Sequence, residues 1–186
     1  MSIFNILFGK KEPPDTMPVT LDLQDGGFVL NGRRFPFPVR LSALEQALGE
    51  PRTTGLTDPV YTPERLEVVR RRCAASPERF APGRHYWDDL GIAATTYDRE
   101  TVYCLTIFLR KSRYALSMPR SPFRGTLLIH GEDWRAQVLG PKRPRPVVPL
   151  GRIHLSVISF GRKGGEKAVK HFELSLDQTE ELVLFG

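Results

Sequence analysis

Apolar and polar residues alternate with a period of two through much of the chain, which predicts β-strands. Residues 19–30 read VTLDLQDGGFVL, so two alternating runs flank the turn signal Asp25-Gly26-Gly27. A second turn signal, Asn31-Gly32, then returns the chain through Phe35 to a pair of prolines that stop a central strand. The opening part of the domain therefore predicts a hairpin with a short third strand.

The most strongly sheet-like sequence lies at residues 85–111, HYWDDLGIAATTYDRETVYCLTIFLRK. Residues 92–96 and 101–109 flank a polar loop and predict a β-hairpin. Residues 101–109 are apolar on both faces, with Leu105 and Ile107 on one and Val102 and Phe108 on the other. A strand of this kind belongs in the middle of a covered sheet.

A last hairpin is predicted from residues 153–160 and 169–176, which are separated by a glycine-rich loop. His154 and His171 lie one on each of its strands, and the pattern allows them to face each other across the hairpin.

Two short helices are predicted between these strand pairs. Residues 41–49 read LSALEQALG, in which Ser42 is an N-cap, Glu45 completes a capping box and Gly49 ends the helix. A second helix begins at Pro63 and stops before Pro77. The proline-containing segments 51–59, 76–84 and 140–151 are predicted to be irregular.

Residues 123–134 repeat the earlier strand, glycine turn and aromatic return. The aligned positions are Leu127 with Phe28, Ile129 with Leu30, Gly131 with Gly32 and Trp134 with Phe35. The predicted fold class is therefore α+β: a largely antiparallel β-sheet in two related β-rich halves, 19–114 and 123–186, with the two short helices inserted in the first half. Residues 1–18 are predicted to be an amphipathic segment and linker ahead of this single domain, 19–186.

Composition adds a basic character to this domain. The 186 residues carry a formal net charge of +6, which favours attraction to polyanions or to acidic proteins. No apolar run approaches the length that spans a bilayer, and no signal-peptide pattern is present, so a cytoplasmic protein is expected. Residues 1–11 are either a weak membrane-surface contact or a helix that docks on protein.

Catalytic chemistry has little support in the sequence. The four histidines and two cysteines are isolated, and the glycine-rich GRKGGEK at 161–167 lacks the Walker spacing. We therefore predict no catalytic residues, no metal and no cofactor. A hydrolase or nuclease that uses Asp88 or Asp89 with a histidine is the weakest hypothesis.

Surface recognition is the remaining role for the distinctive residues. Large aromatic side chains beside hydrogen-bond acceptors are typical of interface anchors. The predicted partner-binding residues are Tyr86, Trp87, Asp88, Asp89, Arg143, Arg145, Arg162 and Lys163. An alternative places Trp87 in the core and makes Asp88-Asp89 the start of a turn.

Three motifs resemble a group of small uncharacterised bacterial proteins: strand-NG-strand at 28–35, L-x-x-L-x-x-x-LG-x-P at 41–51 and WDDLGI at 87–92. Those proteins are similar to members of toxin-immunity and secretion-associated gene neighbourhoods, in which a cytoplasmic protein binds and blocks one toxin. The resemblance implies a non-enzymatic immunity or adaptor protein with a toxin or effector as partner. The alternative is a nucleic-acid-binding regulator that uses the basic clusters at 70–72, 142–145 and 162–167.

Overall fold

The structure, a computed structural model, describes residues 18–55, 81–111, 118–139, 146–159 and 169–176. These residues form thirteen strands and two short helices. The strands are β1 (Thr20–Gln24), β2 (Gly27–Leu30), β3 (Arg33–Pro36), β4 (Val39–Arg40), β5 (Arg52–Gly55), β6 (Gly83–Trp87), β7 (Ile92–Thr96), β8 (Thr101–Phe108), β9 (Thr126–Ile129), β10 (Glu132–Asp133), β11 (Val147–Leu150), β12 (Ile153–Ser159) and β13 (Val169–Leu176). The helices are α1 (Leu41–Leu48) and α2 (Trp134–Val138).

The strands build two sheets. The five-stranded sheet has the order β10-β9-β1-β2-β3, and the eight-stranded sheet has the order β11-β12-β13-β8-β7-β6-β5, with β4 also pairing with β8. Every described pair is antiparallel except β1 with β9, which is parallel. The predicted α+β class with a largely antiparallel sheet is confirmed.

The first hairpins follow from their turn residues. Asn31 and Gly32 have φ angles of 48° and 82°, and two successive positive values are what a two-residue hairpin turn of the favoured type requires. Leu21 and Leu23 are buried while their polar neighbours are half-buried, as the alternation predicts. The predicted hairpin and its short third strand are confirmed.

Strand β8 lies in the middle of the eight-stranded sheet, as predicted for a strand apolar on both faces. Its register against β7 passes from Thr95 opposite Cys104 to Thr96 opposite Val102, so Tyr103 is an extra residue in β8. Such a bulge inverts the alternation beyond it. Val102 consequently joins the same core cluster as Leu105, and the prediction that these two residues lie on opposite faces is wrong.

Each sheet combines strands from both predicted halves. Strand β9 pairs with β1, and β13 pairs with β8, so the division into 19–114 and 123–186 is not confirmed. Trp134, which was expected in a returning strand, is instead the first residue of helix α2. This helix lies in the second predicted half, whereas both helices were predicted in the first half. The helix predicted after Pro63 and the segment 1–17 lie outside the described residues.

Three segments predicted to be irregular contain strands, namely β5, the start of β6 and β11. Strand β5 follows Pro51 directly, and β11 contains Pro149. A proline is tolerated at the first residues of a strand or on an edge, because its missing N–H breaks no ladder hydrogen bond there. The prediction of irregular structure is wrong at these described strand positions, because proline is compatible with a strand start and with an edge strand.

Helix α1 begins two residues earlier than its capping pattern predicts, since its N-cap is Arg40 and not Ser42. Arg40 makes no side-chain capping bond, and the backbone N–H of Leu41 donates to the carbonyl of Glu100 at 2.7 Å. The loop before β8 therefore satisfies one of the N–H groups that the first turn of the helix leaves unpaired, and the predicted capping box with Ser42 as N-cap is wrong. Gly49 ends the helix as predicted, with φ at 85° and its N–H on the carbonyl of Glu45.

The five-stranded sheet packs against one face of the eight-stranded sheet, which we call the inner face. This face carries the buried residues Ala94, Leu105, Leu155 and Leu174, which belong to one hydrophobic core together with residues of the five-stranded sheet. The ring of Trp134, the first residue of α2, meets the ring of Phe172 on β13 edge to face, with the centroids 5.1 Å apart. The opposite face, which carries Tyr86, Ala93, Thr106 and Phe108, is called the outer face.

Proline limits the exposed edge of the eight-stranded sheet at β11. The N–H of Val157 donates to the carbonyl of Pro146 at 2.8 Å, which makes this a hydrogen-bonded pair. Hydrogen-bonded pairs alternate in an antiparallel ladder, so Val147 and Pro149 direct their backbone groups away from β12. Because Pro149 has no N–H, the edge offers one donor fewer to a further strand.

We predict that Pro149→Ala increases concentration-dependent self-association, because it restores an outward N–H to the β11 edge. Each hydrogen bond gained in edge pairing contributes on the order of 1 kcal/mol. Sedimentation velocity over a concentration series measures the effect. Pro146→Ala is the matched control, since residue 146 directs its backbone toward β12, and equal association of both variants would contradict the argument.

Candidate partner-binding surface

The segment predicted to be an interface anchor is the end of a strand and a tight turn. Tyr86 and Trp87 are the last residues of β6, and Asp88 to Gly91 turn the chain into β7. The side chains of Tyr86 and Trp87 are only 2% and 3% exposed. This burial places Trp87 in the core and Asp88 at the start of a turn, as the alternative predicted, and it argues against Tyr86 and Trp87 as interface anchors.

Trp87 joins two of the sequence motifs. Its ring lies on the inner face, and its Nε1 donates to the carbonyl of Gly49 at 2.7 Å. Gly49 is the glycine that ends α1, so the end of this helix is held on the end of β6. A buried indole needs a partner for its N–H, and here the C-terminal end of a helix supplies an otherwise unpaired carbonyl.

The glycine of the WDDLGI motif is required by a close approach. Gly91 has φ at 69°, and a Cβ at this position would overlap the backbone of Pro122 and Phe123. The N–H of Phe123 donates to the carbonyl of Phe108 at 2.7 Å, so the segment that crosses over Gly91 is bonded to β8. Gly91 thus lets the backbone of residues 122–123 lie against the turn and bond to the end of β8.

Asp88 forms a bidentate ion pair with Arg52 of β5. The Nε and Nη2 atoms of Arg52 donate to the two carboxylate oxygens at 2.7 and 2.8 Å. The same guanidinium lies over the ring of Tyr86, with Cζ 4.4 Å from the ring centroid. Two parallel hydrogen bonds fix the relative orientation of the groups, so this pair holds β5 on β6.

Residues 118–123 complete the shell of Asp88. The backbone N–H of Arg120 donates to its carboxylate at 3.1 Å, and the N–H of Ser121 donates to its carbonyl at 2.9 Å. The hydrogen bond from Arg52 is the largest cause that lowers the pKa of Asp88, and the same bond raises the pKa of Arg52. Asp88 is therefore a structural carboxylate that joins three segments, while its neighbour Asp89 is exposed.

His85 is a buried bridge that the sequence analysis did not identify. Its Nδ1 lies 2.9 Å from Oγ1 of Thr53 on β5, and its Nε2 lies 3.0 Å from Oγ1 of Thr96 on β7. Burial lowers the pKa of His85, because the charged imidazolium is disfavoured away from water. The threonines are separated from it by 32 and 11 residues, so only the strand register reveals the contact.

His154 and His171 do not face each other. In the register of β12 and β13, His154 lies opposite Ser175 and His171 lies opposite Ile158. His154 Nε2 is 3.3 Å from Oγ of Ser175. The prediction of a cross-strand histidine pair is wrong, because it assumed a different register for the hairpin.

The outer face of the eight-stranded sheet passes from buried to exposed across its width. One row of cross-strand neighbours runs through Arg52, Tyr86, Ala93, Thr106, Glu173, Ser156 and Val147. Tyr86, Ala93 and Thr106 are at most 2% exposed, whereas Val147 at the other end is 49% exposed. The outer face is therefore covered over β6 to β8 and open at β11 and β12.

The open end carries large apolar side chains. Among the described residues, Val147 and Ile158 are the large hydrophobic side chains that are exposed, at 49% and 37%. Val147 lies opposite Ser156, two residues before Ile158, so the two are diagonal neighbours on one face. Exposed Pro149 extends this group along β11. We call Val147, Pro149 and Ile158 the β11–β12 patch.

The other predicted partner-binding residues, Arg143, Arg145, Arg162 and Lys163, lie outside the described residues. Within the described ranges, no group of three or more histidine, cysteine or acidic side chains is arranged to hold a metal ion. Neither α1 nor α2 is long and apolar enough to cross a membrane.

The sheets and helices define a two-sheet, largely antiparallel α+β protein with one open sheet face. The chain belongs to the family described as Domain of unknown function (DUF7738), whose family model matches residues 20–141. No curated protein and no solved structure matches the chain. The matched range includes the motifs around Gly49 and Trp87 and ends before β11, so the β11–β12 patch lies beyond it.

We predict that Arg52→Met lowers the free energy of unfolding by about 1–3 kcal/mol, because it leaves the Asp88 carboxylate, 14% exposed, without its bidentate partner. Arg135→Met is the matched control, since Arg135 and Asp133 form an ion pair at 2.7 Å whose side chains are 47% and 55% exposed. Such a pair contributes under about 1 kcal/mol. Urea denaturation measures both variants, and equal losses would contradict a structural role for Arg52.

We predict that His85→Gln flattens the decline of stability on acidification below about pH 6.5. The pKa of His85 is lowered in the folded protein, so the unfolded chain takes up a proton first and stability falls as pH decreases through this range. Thr96→Val, which removes one hydrogen bond but no titrating group, should lower stability and keep the slope. Denaturation midpoints across pH test this, and an unchanged slope in His85→Gln would refute it.

Proposed function

We propose that the protein is a non-enzymatic, cytoplasmic bacterial binding protein of the immunity or adaptor type, which binds and blocks a cognate toxin or effector protein. The observation that carries the proposal is the β11–β12 patch, where the large exposed apolar side chains of the described residues stand together on one sheet face. Clustered exposed apolar side chains on an otherwise polar surface are typical of protein contact sites.

The patch favours contact through side chains over addition of a strand. Pro149 removes an outward donor from the β11 edge, so an added strand loses a hydrogen bond there. The side chains of Val147 and Ile158 stand on the flat face beside that edge, where a partner surface can cover both at once. The proposed interface is therefore the face of β11 and β12, with Val147 and Ile158 at its centre.

The charge of the chain favours an acidic partner. The formal net charge is +6, and opposite charge on a partner speeds its association by electrostatic steering. In sequence, Arg143 and Arg145 lie a few residues before β11, and Arg162 and Lys163 lie a few residues after β12. These four residues stay in the proposal as basic contacts with the partner, together with exposed Asp89.

The same net charge supports a second candidate, a regulator that binds nucleic acid through its basic clusters. The two candidates differ in what they require of the β11–β12 patch. Binding to phosphates depends on cations and falls steeply with salt, whereas binding to a protein face depends on Val147 and Ile158.

Co-expression with the product of the neighbouring gene tests the leading proposal. We expect a complex that survives size-exclusion chromatography and that Val147→Lys/Ile158→Lys weakens at least about ten-fold, since central apolar anchors contribute most of the binding energy. Thr126→Lys, an exposed position on β9 of the other sheet, is the control and should bind as the unmodified chain does.

Absence of a complex with that gene product would count against the immunity proposal. Salt-sensitive binding to generic DNA or RNA, unchanged in the Val147→Lys/Ile158→Lys variant, would replace it with the nucleic-acid regulator. A complex that the double substitution leaves intact would keep the function and remove the patch from it.

A further inference from the structure

His171 lies beside the β11–β12 patch on the outer face. On β13 it is opposite Ile158 of β12 and opposite Phe108 of β8, so its ring stands between these two side chains. The ring centroids of His171 and Phe108 are 5.2 Å apart. The residue is 9% exposed, which places a polar ring at the boundary between the covered and the open parts of this face.

One ring nitrogen of His171 has a partner that defines its tautomer. Nε2 lies 3.1 Å from the carboxylate oxygen Oε1 of Glu173. A carboxylate oxygen accepts a hydrogen bond, so Nε2 carries the proton and donates it. In the neutral imidazole Nδ1 is then a hydrogen-bond acceptor.

The acceptor Nδ1 is buried and meets no hydrogen-bond donor among the described residues. A buried acceptor without a donor has lost its bond to water and gained nothing in exchange, which makes it unfavourable in the folded protein. A ligand that brings a donor to this atom recovers that free energy. His171 lies opposite Ile158, so this atom belongs to a residue that borders the β11–β12 patch.

We propose that the β11–β12 patch receives an aromatic side chain of the partner protein that carries a donor, a tryptophan indole N–H or a tyrosine hydroxyl, and that His171 Nδ1 accepts this hydrogen bond. The inference rests on the proposed binding function. The exposed apolar side chains of Val147 and Ile158 suit the body of an aromatic ring, and Nδ1 suits its polar tip.

A cationic donor fits this site less well. Lysine and arginine also donate, but the chain has a formal net charge of +6, which disfavours bringing a further cation to its surface. Ile158 covers one side of the ring and is itself 37% exposed, so its side chain can turn toward solvent when the aromatic group enters. Tryptophan and tyrosine are also enriched among the residues that dominate protein interfaces.

Indole and 1-methylindole are matched probes for this site, because they share an apolar ring system and only indole has an N–H. At about pH 8, where imidazole is ordinarily neutral, nitrogen NMR of the histidine rings should show indole shifting the Nδ1 resonance of His171. Indole should bind about five-fold more tightly than 1-methylindole, the difference that one neutral hydrogen bond makes.

Two variants separate the hydrogen bond from general apolar binding. In His171→Phe, indole and 1-methylindole should bind with about equal affinity, since a phenyl ring has no acceptor nitrogen. Glu173→Gln should also shrink it, because an amide can either accept from or donate to Nε2 and no longer sets the tautomer. A preference that persists in both variants would overturn the proposal.

Equal binding of the two probes, or binding that leaves the Nδ1 resonance unchanged, would also overturn it. These outcomes are independent of the partner experiment. If the probes fail while Val147→Lys/Ile158→Lys still disrupts the complex, the surface is correct and the aromatic donor is wrong. If indole binds as expected but Val147→Lys/Ile158→Lys leaves the complex intact, the site exists but is not the interface of that complex.

Discussion

The pairing of β8 on both of its edges is the constraint on which the rest of the structure depends. A buried strand needs partners for its backbone N–H and carbonyl groups, and β8 pairs with β7 on one edge and with β13 and β4 on the other. Its inner side chains, such as Leu105 and Ile107, share a core with the five-stranded sheet. On the outer face, Phe108 packs in a cluster with Met118. The loop before it also bonds the first N–H of α1. Displacement of β8 would therefore separate both layers and the helix together.

The sequence motifs around Gly49 and Trp87 contact each other in the fold. Trp87 donates to Gly49, Asp88 holds Arg52 of the strand that follows α1, and Gly91 admits the backbone of Phe123. Each of these residues satisfies a backbone or charged group that burial would otherwise leave unpaired. These two motifs therefore account for structure before they account for any activity.

Local features of the fold were predictable and long-range ones were not. Asn31-Gly32 and Gly49 act within a few residues, through backbone angles that few other residues adopt, so the turn and the helix end follow from the sequence. The bulge at Tyr103 breaks the period of two that the strand pattern assumes, and it is set by the register of β7 against β8. The pairing of Arg52 with Asp88 and of Thr53 with His85 joins residues 36 and 32 positions apart. No pattern in a single sequence specifies which strands become neighbours at that separation.

The candidate site shows why chemically conspicuous residues misled the sequence analysis. Trp87, Asp88 and His85 have the side chains that binding and catalysis use, but a side chain whose polar atoms all point at partners within the fold has little left to offer a ligand. Among the described residues, Val147 and Ile158 are large apolar side chains that remain exposed, and Nδ1 of His171 has no hydrogen-bond partner. These groups lie at the end of the outer face where side chains pass from buried to exposed, and a single sequence does not reveal that boundary. Composition reveals which groups a chain possesses, whereas function depends on which of them the fold leaves unsatisfied.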